Sequence, residues 1–151
     1  MTISPGTTHK PFSASSVLGG ERVLHAHPRS VPEWIDLVRE GIPAPAIDAV
    51  IQFVNVRQIE LSRALDIPER TLVRRKKEGL LNREESGKLL RLARIVERAA
   101  EVFEDGQAAL DWMKSPNASL GGVTPLSMLD TDLGAGSVMD TLGRIEHGIF
   151  A

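Results

Sequence analysis

The amino-acid sequence predicts an all-α protein, and three of its features support this class. Apolar residues recur at steps of three and four along several segments, which is the spacing of one helix face. Capping boxes at 30–33 and 82–85 place a Ser or Asn before a predicted helix and a glutamate three residues later. No segment has the alternation of apolar and polar residues that is typical of a strand.

The composition is that of an ordinary folded protein. The 151 residues are 42% hydrophobic and 25% charged, which suffices for one compact domain or two small ones that share a core. The absence of cysteine excludes disulfides and thiolate metal sites, and it suits a reducing cytosol. The longest apolar stretch, 42–56, is too short and too polar to span a bilayer, and the N-terminus lacks the apolar region of a secretory signal. We therefore expect a cytoplasmic protein without a membrane partner.

Residues 1–29 predict a flexible tail, because they are rich in Ser, Thr, Gly and Pro and show no sustained periodicity. His25 and His27 form an isolated His-x-His pair, which is too weak a pattern to predict a metal site.

Two helices are predicted between residues 30 and 54. The first begins at the Ser30 capping box, has Pro32 near its first turn and ends at Gly41. The second covers about 44–53 and has apolar residues along one stripe. We expect these helices to mediate homodimerisation.

Residues 55–82 predict a helix-turn-helix. Asn55 is interpreted as the N-cap of a third helix, and the short turn from Leu65 to Pro68 joins it to a fourth helix that Gly79 ends. Asp66 occupies the turn position where Gly is commonest. Because Asp tolerates left-handed backbone better than most residues, the turn can still form.

The fourth helix carries four consecutive cations, residues 74–77, which we interpret as part of a DNA-binding element. The N-terminal residues of the second helix of such a motif face base edges, whereas cations beyond them neutralise phosphates. The alternative is that the cluster only complements the helix dipole. Base readout is assigned to Arg70, Thr71 and Arg74, and phosphate contact to Arg75, Lys76 and Lys77.

The rest of the chain predicts a long helix followed by three short ones. The long helix covers about 83–104, and its basic row of Lys88, Arg91, Arg94 and Arg98 is interpreted as a solvated face. Shorter helices are predicted at about 107–114, at 125–129, and from the glycines at 134–136 to about 147.

Charge is distributed unevenly. Residues 56–98 carry 12 Lys and Arg against 7 Asp and Glu, whereas residues 99–151 carry 2 against 8. A basic middle and an acidic end predict two surfaces for two different partners, with self-association of opposite patches as the alternative. The acidic end contains no nucleophile–base pair, metal-ligand cluster or phosphate loop, so we expect neither an enzyme nor a bound cofactor.

Two blocks of sequence resemble a known family. The block WMKSPNASLGGVTPLSMLDTDLGAGSVMDTLGRIEHGIFA, at 112–151, is similar to the toxin-binding domain of Xre/MbcA/ParS-type antitoxins. The block RALDIPERTLVRRKKEGLLNREESGKLLRLARI, at 63–95, resembles the Xre-like helix-turn-helix of the same family. The resemblance covers about residues 45–151 and implies an Xre-like helical core followed by a small helical toxin-binding domain at 83–151.

The resemblance also implies a function. Such antitoxins neutralise a RES-domain toxin that consumes NAD by covering its active site, and they commonly repress their own operon. We therefore expect three interactions: with the toxin, with operator DNA, and between two copies of the chain within a larger complex. Toxin contact is assigned to Trp112, Asn117, Leu120, Gly121, Leu129, Arg144, Glu146, Ile149, Phe150 and Ala151.

There are two alternative functions. One is a stand-alone helix-turn-helix regulator, which would use its C-terminal domain to bind another protein or a ligand. The other is a small hydrolase, for which the sequence offers no supporting group of catalytic residues.

Overall fold

The computed structural model describes residues 12–148, and all regular structure within that range is helical, which confirms the predicted class. Nine α-helices and two 3-10 helices form between Ala14 and Glu146. The α-helices are α1 (Ala14–Val17), α2 (Gly20–Leu24), α3 (Val31–Glu40), α4 (Pro45–Val54), α5 (Gln58–Leu65), α6 (Glu69–Glu78), α7 (Arg83–Phe103), α8 (Gly106–Met113) and α9 (Asp132–Glu146); the 3-10 helices are Ala118–Leu120 and Leu126–Met128. No helix between residues 12 and 148 is long and apolar enough to cross a membrane.

Helix α7 lies at the centre of the fold. Its predicted capping box is present, since the Glu85 amide donates to Asn82 Oδ1 over 2.8 Å and the Asn82 amide donates to Glu85 Oε1 over 2.9 Å. Leu89, Leu92 and Val96 on its apolar stripe are buried, and the helix contacts α1, α3, α5, α8 and α9. One helix therefore connects the N-terminal and C-terminal parts of the chain through a common core.

The prediction of a flexible tail was wrong for residues 12–29. Val17 and Leu18 are fully buried, and the Ala14 amide donates to Glu97 of α7 over 3.1 Å. The Phe12 ring packs edge-on against Phe53 at 4.8 Å. A four-residue helix is too short to show a helical period, so these tertiary contacts left no signal in the sequence. The remainder of the predicted tail, residues 1–11, lies outside the described residues.

Two helix starts also differ from the prediction. Asn55 ends α4 in the left-handed conformation, with φ of 61°, and Arg57 precedes α5 instead. Asn is favoured both at N-caps and in left-handed backbone, so its type could not distinguish these roles. Helix α9 begins at Asp132, so the glycine pair at 134 and 136 lies inside it. A Cβ at Gly134 would come within 2.0 Å of the Met128 carbonyl oxygen, which explains a glycine there.

The connection between α3 and α4 fixes the position of α6. The Ile42 amide donates to the buried Ser86 hydroxyl of α7 over 2.8 Å, and the Leu81 amide donates to the Ile42 carbonyl over 3.0 Å. The Ala44 amide donates to the carbonyl of Gly79, just after α6, over 3.0 Å. Backbone hydrogen bonds thus hold the end of α6 against the core.

Candidate nucleic-acid and protein interfaces

The turn between α5 and α6 forms as the sequence predicts. Asp66 takes the left-handed conformation, with φ of 53° and ψ of 49°. The Ile67 amide donates to the Ser62 carbonyl over 3.0 Å, and the Ser62 hydroxyl donates to the Ile67 carbonyl. Ile67 itself is buried, so the turn is fixed on the core and sets the angle at which α6 leaves it.

The four-cation cluster of α6 is divided between two faces. Arg75 donates to both carboxylate oxygens of Glu85, over 2.8 and 3.1 Å, and to Glu78 over 2.8 Å. Lys76 pairs with Asp48 of α4 over 2.7 Å and also donates to Gln58. These contacts hold both side chains against neighbouring helices, which disfavours the predicted phosphate contacts of Arg75 and Lys76.

The Arg75–Glu85 pair remains charged at neutral pH. Burial acts to raise the pKa of Glu85, but the hydrogen bonds from Arg75 and Asn82 outweigh it, and the pKa lies below its ordinary value of 4.5. Hydrogen bonds from Glu85 and Glu78 raise the pKa of Arg75. Two carboxylates next to one guanidinium offset its charge, which makes Arg75 a less favourable partner for a phosphate.

Arg70, Val73, Arg74 and Lys77 form the outward face of α6. All four are exposed, and 57% of the Arg74 side chain is accessible to solvent, against 20% for Arg75. Thr71 is half-buried at the edge of this face, and the Glu69 carboxylate accepts from Gln58 over 3.3 Å. The structure thus brings together three of the six predicted DNA-binding residues, Arg70, Arg74 and Lys77, with Thr71 beside them.

Two predicted toxin contacts are core residues instead. Leu129 is 2% exposed, and Leu120 is also buried. Their burial disfavours the predicted role as toxin contacts, because an aliphatic side chain inside the core offers little surface to a partner. Both close the short 3-10 segments that precede α9.

Other predicted toxin contacts also have roles within the fold. Trp112 is half-buried and packs against Phe103, with ring centroids 5.7 Å apart. The Asn117 side chain accepts from the Ser119 amide over 2.8 Å, and its backbone pairs with Val123.

The remaining predicted toxin contacts are exposed or lie outside the described residues. Gly121 is exposed and has a φ of 81° in the turn that follows Asn117. Arg144 is exposed and donates to the Thr141 hydroxyl over 3.3 Å. Ile149, Phe150 and Ala151 lie outside the described residues.

The basic row of α7 is not simply a solvated face. Lys88 pairs with Glu84, one turn earlier on the same helix, over 3.6 Å. Arg91, however, pairs with Asp132 of α9 and donates to the Leu129 carbonyl over 2.6 Å. Arg98 pairs with Glu146 at the other end of α9, and this pairing lowers the pKa of Glu146. These two arginines hold α9 to α7, which periodicity alone could not reveal.

Several exposed apolar side chains were not singled out from the sequence. Leu133 of α9 is 86% exposed, and Met139 lines a groove of about 570 Å³ between α7 and α9. Val31 and Ile35 of α3 line a second groove, of about 240 Å³, between α3 and α7. The sequence contained no signal for Leu133, because it precedes the predicted start of the last helix, and its exposure depends on how α9 packs.

Two protein-family models match the chain. Residues 33–94 match the antitoxin Xre-like helix-turn-helix domain, and residues 98–148 match the antitoxin Xre/MbcA/ParS C-terminal toxin-binding domain. The matched segments meet within α7.

Curated relatives align over most of the chain. An "Antitoxin Xre" of Yersinia enterocolitica is 35% identical over 119 residues, which covers 78% of this chain and 80% of the relative. An "Antitoxin Xre" of Photorhabdus laumondii is 37% identical over 122 residues, covering 80% and 82%. A "Prs ADP-ribosylating antitoxin" of a Sphingobium species is 30% identical over 127 residues, covering 78% and 80%.

A solved structure shares the fold. A chain in the MbcT–MbcA toxin–antitoxin complex of M. tuberculosis superposes with a TM-score of 0.53 at 23% identity. The superposition covers 72% of this chain and 96% of that chain.

Proposed function

This chain belongs to the Xre antitoxin family of toxin–antitoxin systems, and from that premise we propose that it covers the active site of a cognate RES-domain toxin and binds operator DNA. The single observation that carries the proposal is the pairing of a helix-turn-helix with an acidic C-terminal toxin-binding segment through one continuous helix, α7. The NAD chemistry belongs to the toxin, and we propose no reaction or cofactor for this chain. We also propose that the chain acts in the cytoplasm, where operator DNA and the toxin would be available to it.

The acidic end supports the toxin part of the proposal. Residues 99–151 carry 8 acidic side chains against 2 basic ones, and Asp111, Asp130 and Asp140 are exposed. NAD is anionic, so a cleft that binds it is expected to be cationic and to attract such a surface.

Leu133 replaces the two buried leucines as the proposed toxin contact. It is far more exposed than other large apolar side chains of the described residues, and it lies within the matched toxin-binding segment. A few apolar side chains at the centre of an interface supply most of its binding energy. Gly121 and Arg144, which are exposed within the same segment, stay in the proposed interface, as do Ile149, Phe150 and Ala151.

Leu133→Asp is expected to weaken toxin binding by about tenfold or more, because a charge would be buried in an apolar interface. The measurement is co-purification with the product of the neighbouring gene, followed by NAD consumption of the toxin with and without this chain. Val73→Asp, an equally drastic change on the exposed face of α6, is the matched control and should leave toxin binding unchanged. The chain and the toxin are both expressed from an inducible promoter, so that repression of their own operon by the chain does not change the amount of either protein.

Deleting residues 148–151 tests whether the end of the sequence blocks the toxin's cleft. The truncated chain is expected to stay folded by circular dichroism and to release toxicity in co-expression, since the apolar end, Ile149 and Phe150, would no longer enter the cleft. Normal growth with the truncated chain would show that the end does not plug the cleft. No stable complex with any RES-domain neighbour would refute the toxin proposal as a whole.

Homodimerisation is proposed to use the exposed side of α3. Val31 and Ile35 are large apolar side chains at the surface, and they line the groove between α3 and α7. Specific operator binding by a helix-turn-helix normally requires two copies on two half-sites, and a two-fold interface presents the same apolar patch from both copies. A second copy is therefore the proposed occupant of this groove.

Ile35→Asp is expected to convert a dimer into a monomer in static light scattering at micromolar concentration, because each interface would bury two unpaired carboxylates. Val123→Asp introduces the same charge at another exposed apolar position, and this control should remain dimeric. A wild-type monomer, or an Ile35→Asp dimer as stable as wild type, would rule out this interface.

A further inference from the structure

An exposed valine lies in the middle of the outward face of α6. Val73 is 42% exposed, and its neighbours on that face are Arg70, Arg74 and Lys77. At 3.6 residues per turn these four positions fall within an arc of about 100°. Val73 is thus the one apolar side chain on a face otherwise composed of cations.

Neither packing nor helix stability accounts for a valine at this position. The core side of α6 is supplied by Leu72, which is fully buried, and by the two paired cations Arg75 and Lys76. A β-branched residue also favours the helix less than Lys or Arg would. Single exposed apolar residues are common on proteins; what distinguishes this one is its position at the centre of the proposed DNA-reading face.

The inference rests on the proposed operator binding: we propose that Val73 contacts the 5-methyl group of a thymine in the major groove. That methyl group is the apolar feature that a base pair displays there, and aliphatic side chains contact it. A cytosine at the same place would set its N4 amino donor against the valine methyl groups without a partner. Val73 therefore selects thymine, and does so independently of the cations around it.

The geometry of α6 also places this thymine relative to other bases. Arg70 precedes Val73 by three residues, which is about 4.5 Å along the helix axis. Base pairs are stacked about 3.4 Å apart. A guanine read by Arg70 is therefore expected one or two base pairs from the thymine that Val73 contacts.

The experiment begins with selection of duplexes from a random pool by the full-length chain without toxin. Each thymine of the selected site is then replaced, one at a time, by deoxyuridine, which removes only the methyl group. Replacement of the contacted thymine in one half-site is expected to weaken binding by about fourfold, the value of one buried methyl group. Replacement of the contacted thymine in both half-sites is expected to weaken it by about fifteenfold.

Two variants at the same position make the test specific. Val73→Ser removes the apolar contact and should bind the thymine and deoxyuridine duplexes equally. Val73→Thr is the matched control, because it keeps one methyl group and the branched shape, and it should still prefer thymine. Both changes are at an exposed position, and circular dichroism verifies that the chain is folded.

The outcomes separate this inference from the function on which it rests. If the deoxyuridine penalty is absent at every position, or is the same in Val73→Ser, the thymine contact is refuted while operator binding stands. If selection enriches no sequence and Arg70→Ala leaves DNA affinity unchanged, operator binding fails and the thymine contact fails with it.

Discussion

Replacing Arg70 and Arg74 together by alanine is expected to weaken operator binding by about a hundredfold or more, since a well-formed arginine contact to a base is worth about 1–3 kcal/mol. Both side chains lie on the outward face of α6, and Arg74 is more than half exposed. Binding should also become less dependent on salt where either arginine contacts a phosphate. The measurement is a mobility shift on the operator at several salt concentrations.

A matched pair of arginines controls for net charge. Arg22→Ala with Arg144→Ala removes the same two charges from exposed positions on α2 and α9, outside the helix-turn-helix, and should change DNA affinity little. Arg75→Ala should act differently again, by lowering the stability of the fold, because it leaves the Glu85 carboxylate without its cation. Equal affinity of the Arg70/Arg74 variant and wild type would refute the assignment of this face to DNA.

Leu89→Ala is expected to lower the free energy of unfolding by about 2–5 kcal/mol, the cost of a cavity in a close-packed core. Leu89 is fully buried on α7, the helix that connects the two matched segments. Since small proteins are stable by only about 5–15 kcal/mol, the variant should lose much of its stability. Urea denaturation followed by circular dichroism measures the change.

Leu133→Ala is the matched control for that measurement, because it makes the same chemical change at an 86% exposed position. Its cost should stay below about 1 kcal/mol. Because α7 belongs to both segments, the Leu89 variant should weaken toxin binding and DNA binding together when temperature is raised. Equal stability losses in the two leucine variants would contradict the central role of α7 in the core.

Local signals in the sequence were sufficient for much of the helical part of the fold. The Asn82 capping box, the glycine that ends α6 and the apolar stripe of α7 act within a few residues, so they could be predicted. The turn at Asp66 was also predictable, since it depends on the conformational tolerance of one residue. Gly134 misled the prediction because a glycine needed for close packing has the same letter as one that ends a helix.

The sequence by itself determined that the chain is helical, that a helix-turn-helix precedes an acidic end, and to which family the chain belongs. Only the tertiary structure decided which cations face outward: Arg75 is neutralised by Glu85, ten residues away, and Lys76 by Asp48 on another helix. It also buried Leu129 and left Leu133 exposed on the next helix. The physical reason is that a helix repeats every 3.6 residues whatever lies beside it, whereas the partner and exposure of each side chain depend on neighbours brought together only by folding.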